Sequence, residues 1–258
     1  MNKLREILKT ERAKLGITQD QAGTAINVSG SLIAAIESGR LVPQPDTAIQ
    51  LDTLFGSGDK VQRAAADARD DARPTWLRPW TDHEQRSVLL RTFQPMLVPG
   101  LLQTESYARA LLHSGRLSQE EVDRTTQVRL ERQAVTVDQE NAPMLSAVLG
   151  EFALTCGPPD VLGPQLKHLL DMSERPRVQI LVVPRSAGLH AGLQGAFVLA
   201  TLPGKDRAGY VDDQLRGRLV VEGEDLNRLE VAWEIVAGLA LPVNLSRDLI
   251  AKAINDHD

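Results

Sequence analysis

The sequence predicts a small N-terminal helical bundle joined to a larger α+β domain with a mainly antiparallel sheet. Three observations carry this. The length of 258 residues suits two domains better than one. Residues 1–58 show only helix-period apolar spacing broken by capping residues. Beyond them, long helical patterns alternate with short strand-like runs joined by Gly/Pro turns.

Composition narrows the class. Hydrophobic residues make up 42% and charged residues 24%, globular values that exclude wholesale disorder. No apolar run approaches the roughly 18 residues of a membrane span, so no membrane partner is expected. The N-terminus is charged and lacks an apolar signal core, and Cys156 stands alone without an intrachain partner. Both favour a reducing cytoplasm. Cys156 reads as a buried structural thiol. The net charge of −5 does not suggest nucleic acid, and residues 1–58 balance six cations against six anions. Any nucleic-acid claim therefore rests on motif.

In the first part, Leu4, Ile7, Leu8 and Leu15 give a helical stripe that Gly16 ends. Thr18 caps a second helix ending near Ala25. Ser29 caps a third, stopped by Gly39, and Pro45 and Asp46 open a fourth ending at Phe55. The Ala/Arg/Asp-rich run 60–73 suits a solvated connecting helix, which Pro74 closes. The expected domains are thus 1–58, a connector over 59–74, and 75–258. In the last, helical patterns cover 101–113, 118–137, 160–174, 224–240 and 246–255. Strand-like runs cover 144–149, 178–183, 196–202, 208–212 and 217–221. Short turns between strands favour antiparallel pairing over a repeated βαβ plan.

The informative stretch is Thr18-Gln19-Asp20-Gln21-Ala22-Gly23, then Ile26-Asn27-Val28-Ser29, then Ile33, Ile36, Glu37, Ser38 and Gly39. It resembles the phage-repressor-like (XRE-type) helix-turn-helix class, over residues 1–55. The resemblance implies binding to double-stranded DNA as a homodimer, with the third helix in the major groove. The expected DNA-facing residues are Thr18, Gln19, Ser29, Gly30, Ser31, Leu32, Ala35 and Arg40. Gln19 can offer its amide to a phosphate, and Lys9, Arg12, Lys14 and Arg40 are the candidate cations. Val28, Ile33 and Ile36 form the inward face. Asn27 stands where Gly is usual in the turn and tolerates a left-handed backbone. Ala22 and Gly23 depart from the larger aliphatic and the Ala usual there, and Gly23 is expected to weaken the helix by about 1 kcal/mol. The groove-facing set lacks Arg, Asn and Gln, so base discrimination is expected to be modest.

The second part carries Trp76-Leu77, Trp80, Val98-Pro99-Gly100-Leu101-Leu102-Gln103-Thr104, Tyr107-Ala108-Arg109-Ala110, Arg129-Leu130-Glu131-Arg132-Gln133, Gly150-Glu151 and His190-Ala191-Gly192. Over about 75–256 this resembles the uncharacterised C-terminal domain behind phage-repressor-like units in actinobacterial, antitoxin-like regulators. It implies regulation with a partner and no known reaction. Candidate ligand or partner residues are Gln103, Tyr107, Arg129, Gln133, Glu151 and His190. Each has a plainer reading. Gln103 and Tyr107 can serve packing, and Arg129 and Gln133 can line a solvated or ion-paired helix face. Glu151 can form a salt bridge, and His190 can cap or sit in a plain loop.

No phosphate loop, metal-ligand spacing or nucleophile–base set appears. The histidines 83, 113, 168, 190 and 257 are scattered, and the adjacent Asp212 and Asp213 point apart on a strand. An enzyme, a metal site and a cofactor are not expected. Two partners stay open for the second domain: a small-molecule effector, or a small partner protein with DNA binding secondary. A pocket with convergent polar groups favours the first, and an exposed apolar patch the second.

Overall fold

The computed structural model describes residues 2–72, 77–115, 117–212, 216–221 and 223–255. Pro74, Trp76, Asp213, His257 and the expected domain start at 75 lie outside the described residues. The chain divides into two compact units. One comprises Met1–Thr75 with Gly115–Val128, the other Trp76–Ser114 with Arg129–Asp258. This differs from the continuous 75–258 domain read from sequence, because residues 115–128 go with the N-terminal unit.

In the first unit, α1 (Asn2–Lys14) turns Leu4 and Leu8 inward. Leu15 lies past its end and is exposed, so it is no part of the stripe. Next come α2 (Gln19–Ala25), α3 (Gly30–Ser38) and α4 (Pro45–Phe55). Then α5 (Lys60–Ala72) corrects the expected solvated connector. Its Val61, Ala64, Ala65 and Ala68 are buried in the same core as Leu4, Ile36 and Leu51. The spacing i, i+3, i+4, i+7 makes one helical face; because the face is mostly alanine, composition hid it. The α5 N-terminus is held by buried Asp52, which accepts from the Val61 and Gln62 backbone N–H groups, both at 2.9 Å.

The second unit opens with α6 (Arg78–Arg86) and β1 (Leu89–Gln94), neither expected. The helical pattern expected over 101–113 is a 3-10 turn at Gly100–Leu102 and then α7 (Glu105–Ser114). After it run α8 (Gln119–Thr136), which belongs to this unit only from Arg129 on, β2 (Met144–Gly150), α9 (Pro159–Ser173) and β3 (Val178–Val183). The chain continues with β4 (Phe197–Thr201), β5 (Arg207–Asp212), β6 (Gly217–Val220), α10 (Gly223–Leu239) and α11 (Val243–Asn255).

The strands form one sheet of order β3-β2-β1-β4-β5-β6. The pairs β1–β4, β4–β5 and β5–β6 are antiparallel, while β1–β2 and β2–β3 are parallel. The sheet is mixed and mainly antiparallel, as expected. The parallel half was not foreseen, because the sequence reading lacked β1, and a parallel pair needs a helical crossover to find its partner. Both sheet faces are covered. Leu145 and Leu149 of β2 pack in the core that holds Leu162 and Leu166 of α9 and Ile250 of α11, whereas Val148 packs in the core of Trp233 and Val236 of α10. Cys156 is half-buried rather than buried. No single helix among the described residues is long and apolar enough to cross a membrane.

Candidate functional site

The helix-turn-helix is built by local caps. Thr18 accepts from Gln21 N at 3.1 Å while the Gln21 side chain accepts from Thr18 N at 2.8 Å, a reciprocal capping box that starts α2. Asn27 carries the left-handed turn at φ 58°. Ser29 starts α3 by accepting from Leu32 N at 3.2 Å, and Gly39 ends it in the left-handed region. The two helices approach closely. A Cβ on Gly23 would stand 2.7 Å from the Val28 carbonyl oxygen, and one on Gly30 would stand 2.9 Å from the Asp20 Cα. Gly23 is therefore what lets the turn fold back on α2, and its propensity cost is repaid in packing.

One buried carboxylate fastens this arrangement. Glu37 of α3 is 2% exposed. It takes a fork from Arg12, Nε at 2.6 Å and Nη2 at 3.0 Å, and a bond from Gln19 Nε2 at 2.8 Å. Arg12 also donates to the Ile17 carbonyl at 2.8 Å. Burial works to raise the Glu37 pKa; the bonds from Arg12 and Gln19 outweigh it and hold the carboxyl below its usual range. The Glu37 bond correspondingly raises Arg12. Gln19 and Arg12, expected at phosphates, thus tie α1, α2 and α3 together. Lys14 pairs with Glu11.

The exposed face of α3 is also shifted from the expected one. Ala35 is buried, Leu32 is half-buried against the core, and Gly30 lies against Asp20. At 100° per residue the outward stripe is Ser31, Ala34 and Ser38, exposed at its two ends and half-buried at Ala34. Thr18, Ser29 and Arg40 are exposed as expected, with Ser29 and Ser31 hydroxyls 2.9 Å apart and Arg40 Nε donating to Ser38 at 3.1 Å. Ala34 and Ser38 were missed; fixing the register on Ile33 and Ile36 rather than on the cap finds them. The face has small side chains, one cation and no bidentate base reader.

In the second unit the candidates separate into structural and site-forming groups. Residues 98–104 are strapped by three glutamines. Gln103 Nε2 donates to the Val98 carbonyl at 2.7 Å, and Gln133 Nε2 donates to the carbonyls of Gly100 at 2.7 Å and Gln103 at 2.9 Å. Gln165, fully buried, accepts from Thr104 N at 2.7 Å and donates to Leu102 O at 2.7 Å. Tyr107 Oη accepts from Val98 N at 3.3 Å. Gln103, Gln133 and Tyr107 therefore shape the loop. Glu151 accepts from Arg185 N at 2.7 Å and pairs with its side chain. His190 stands edge-on to Phe93, ring centroids 6.1 Å apart.

Arg129 is brought into a cavity with Arg132, Glu84, Tyr210, Gln103 and Asp212. Glu84 is fully buried and bonded by both Arg132 Nε and Nη2, and by Trp80 Nε1 at 3.0 Å. Trp80 stacks on Tyr210 at 5.2 Å. Arg129 donates to Gln103 Oε1 and forms no ion pair among the described residues. Burial first, and repulsion from Arg132 second, bring its guanidinium down to about 10.

The N-terminal unit has the geometry of a helix-turn-helix domain, a DNA-binding module. Comparison agrees: residues 3–66 match the family model described as a helix-turn-helix domain. Residues 77–252, more than half of the chain, match that of a domain of unknown function, DUF5753, and the chain belongs to that family. No curated protein and no solved structure is detectably similar to it.

Proposed function

We propose that this protein is a cytoplasmic transcription regulator of the XRE type that binds duplex DNA as a homodimer, with the DUF5753 unit carrying the regulatory input from a small-molecule effector. The observation that carries the DNA reading is the outward stripe Ser31, Ala34 and Ser38 beside Arg40, on a helix whose other faces are buried and locked. Such a face reaches the major groove and touches bases through hydroxyls and a methyl group. The neutral charge balance of residues 1–58 supports a dimer, because one copy neutralises few phosphates. The reading is non-enzymatic. It is supported by Glu84, the buried carboxylate of the cavity, whose oxygens are taken up by bonds from Arg132 and Trp80.

The test is selection from random duplex DNA by the full chain, followed by fluorescence anisotropy and sedimentation. Enrichment of a near-palindrome with half-sites roughly one helical turn apart is expected. Sedimentation as a monomer with and without DNA, or no enrichment, overturns the reading.

A second reading is favoured by one observation. Leu189 and Leu193, and Val231 and Ile235 of α10, are all exposed large apolar side chains. Exposed apolar side chains of this kind suit a small partner protein, as the antitoxin-like resemblance implies. Co-purification of a stoichiometric small protein with the full chain, lost in Val231→Asp, supports this; an unaccompanied chain overturns it.

A further inference from the structure

The cavity around Arg129 has a volume of about 230 Å³ and lies wholly within the second unit. Its size sets a first limit. At roughly 30 Å³ per liquid water it has room for about eight waters or one small organic molecule, below the ~300–1,000 Å³ of drug-sized pockets. It cannot enclose a nucleotide.

Charge sets the second limit. Arg132 is matched by Glu84, whose remaining bond goes to Trp80. Asp212 stands on the cavity wall, exposed to solvent, and attracts Arg129 from a distance, the two making no ion-pair contact with each other. That leaves one half-buried guanidinium, Arg129, whose hydrogen-bond partner is the neutral amide oxygen of Gln103. A guanidinium partly withdrawn from water, with a neutral hydrogen-bond partner, favours an anion beside it. A dianion would bring a second negative charge that nothing in the cavity matches, and would meet the fields of Glu84 and Asp212. The rest of the wall includes Leu97, Val98, Leu101 and Phe197, which suits an apolar body.

We propose that this cavity binds a small monocarboxylate with an apolar body, its carboxylate on Arg129 and its hydrocarbon against Leu97, Val98, Leu101 and Phe197. Gln103 fixes the guanidinium in advance, since its own amide nitrogen is pinned to Val98 O. Little ordering is left to do at binding. That this site is the regulatory input rests on the reading of the preceding subsection; the binding does not.

The experiment is calorimetric titration of the full chain, without DNA, using isovalerate and benzoate, their amides isovaleramide and benzamide, and inorganic phosphate. The carboxylates bind and the amides and phosphate do not. Arg129→Gln weakens carboxylate binding by about tenfold or more, the scale of one lost charge-assisted bond, with near-UV circular dichroism confirming its fold. Should that variant not fold, Arg129→Lys keeps the charge, loses the fork and binds several-fold more weakly. The proposal is overturned by an absence of binding for both carboxylates at millimolar concentration, by equal binding of amides or phosphate, or by a folded Arg129 variant that binds as wild type. None of these outcomes bears on DNA binding, which is read separately by anisotropy.

Discussion

The Gln19 side chain donates to Glu37 across the helix-turn-helix at 2.8 Å, so a residue expected at the DNA backbone also holds α3 in place. The carboxylate it meets also takes the Arg12 fork. Three helices therefore depend on one buried anion.

Glu37→Ala should destabilise the N-terminal unit by about 3 kcal/mol, the low end for breaking a buried ion pair. The low end applies because the Arg12 side chain is 21% exposed and water takes part of its charge. Urea denaturation followed by far-UV circular dichroism checks this, and a loss under about 1 kcal/mol would place the pair with surface salt bridges.

Acid should loosen the same unit. Glu37 and Asp52 both sit below their ordinary values of 4.5 and 3.8; for each, hydrogen bonds outweigh burial. A depressed carboxyl contributes stability that is fully present above its unfolded pKa and is lost as pH falls through the folded pKa. The loss therefore begins below about pH 4.5 and deepens downward. Melting curves at stepped pH check this, and in Glu37→Ala the decline should be shallower than in wild type.

Ala34→Glu and Ala35→Glu should fail in different ways. Ala34 is on the outward stripe, so a carboxylate there repels phosphate and abolishes DNA binding while the melting temperature changes little. Ala35 is buried, so the same change costs about 2 kcal/mol or more in stability. Arg40→Ala should weaken binding to all sequences alike, and a dimer engaging about four phosphates gives a slope near −3.6 in log K against log salt. Circular dichroism beside anisotropy separates the two alanines.

Gly23→Ala should destabilise, although helix propensity alone favours it by about 1 kcal/mol. The added methyl meets the Val28 carbonyl at 2.7 Å, and forcing backbone apart costs about 1–3 kcal/mol. A higher melting temperature in the variant would show that the turn is free to shift.

The caps, the helix-turn-helix and most of the sheet were legible because each is written locally. Thr18, Asn27, Ser29 and Gly39 declare their roles by residue type and spacing. The strands β2 to β6 are apolar or β-branched runs between turns. What was hidden depends on distant partners. In β1, Arg91 interrupts the apolar run, and only the fold supplies its Glu230 partner at 2.9 Å. In α6, Trp80 is the one buried hydrophobic side chain among the described residues, and its role needs Glu84, Tyr210 and Arg132 around it. Arg129 and Gln133 share a helix face in the sequence, yet one enters a cavity and the other straps a loop.

The glutamine strap has a consequence for exchange of backbone protons with solvent. The amides of Val98 and Thr104 belong to no helix or strand, yet each is bonded to a side chain, Tyr107 and Gln165. An amide proton exchanges only while its bond is open, whatever the partner. These two should therefore exchange as slowly as the strands beside them, an island of protection in irregular chain. Periodic backbone is one way to keep a segment rigid; here a handful of neutral side chains does the same for seven residues whose only regular piece is a single 3-10 turn.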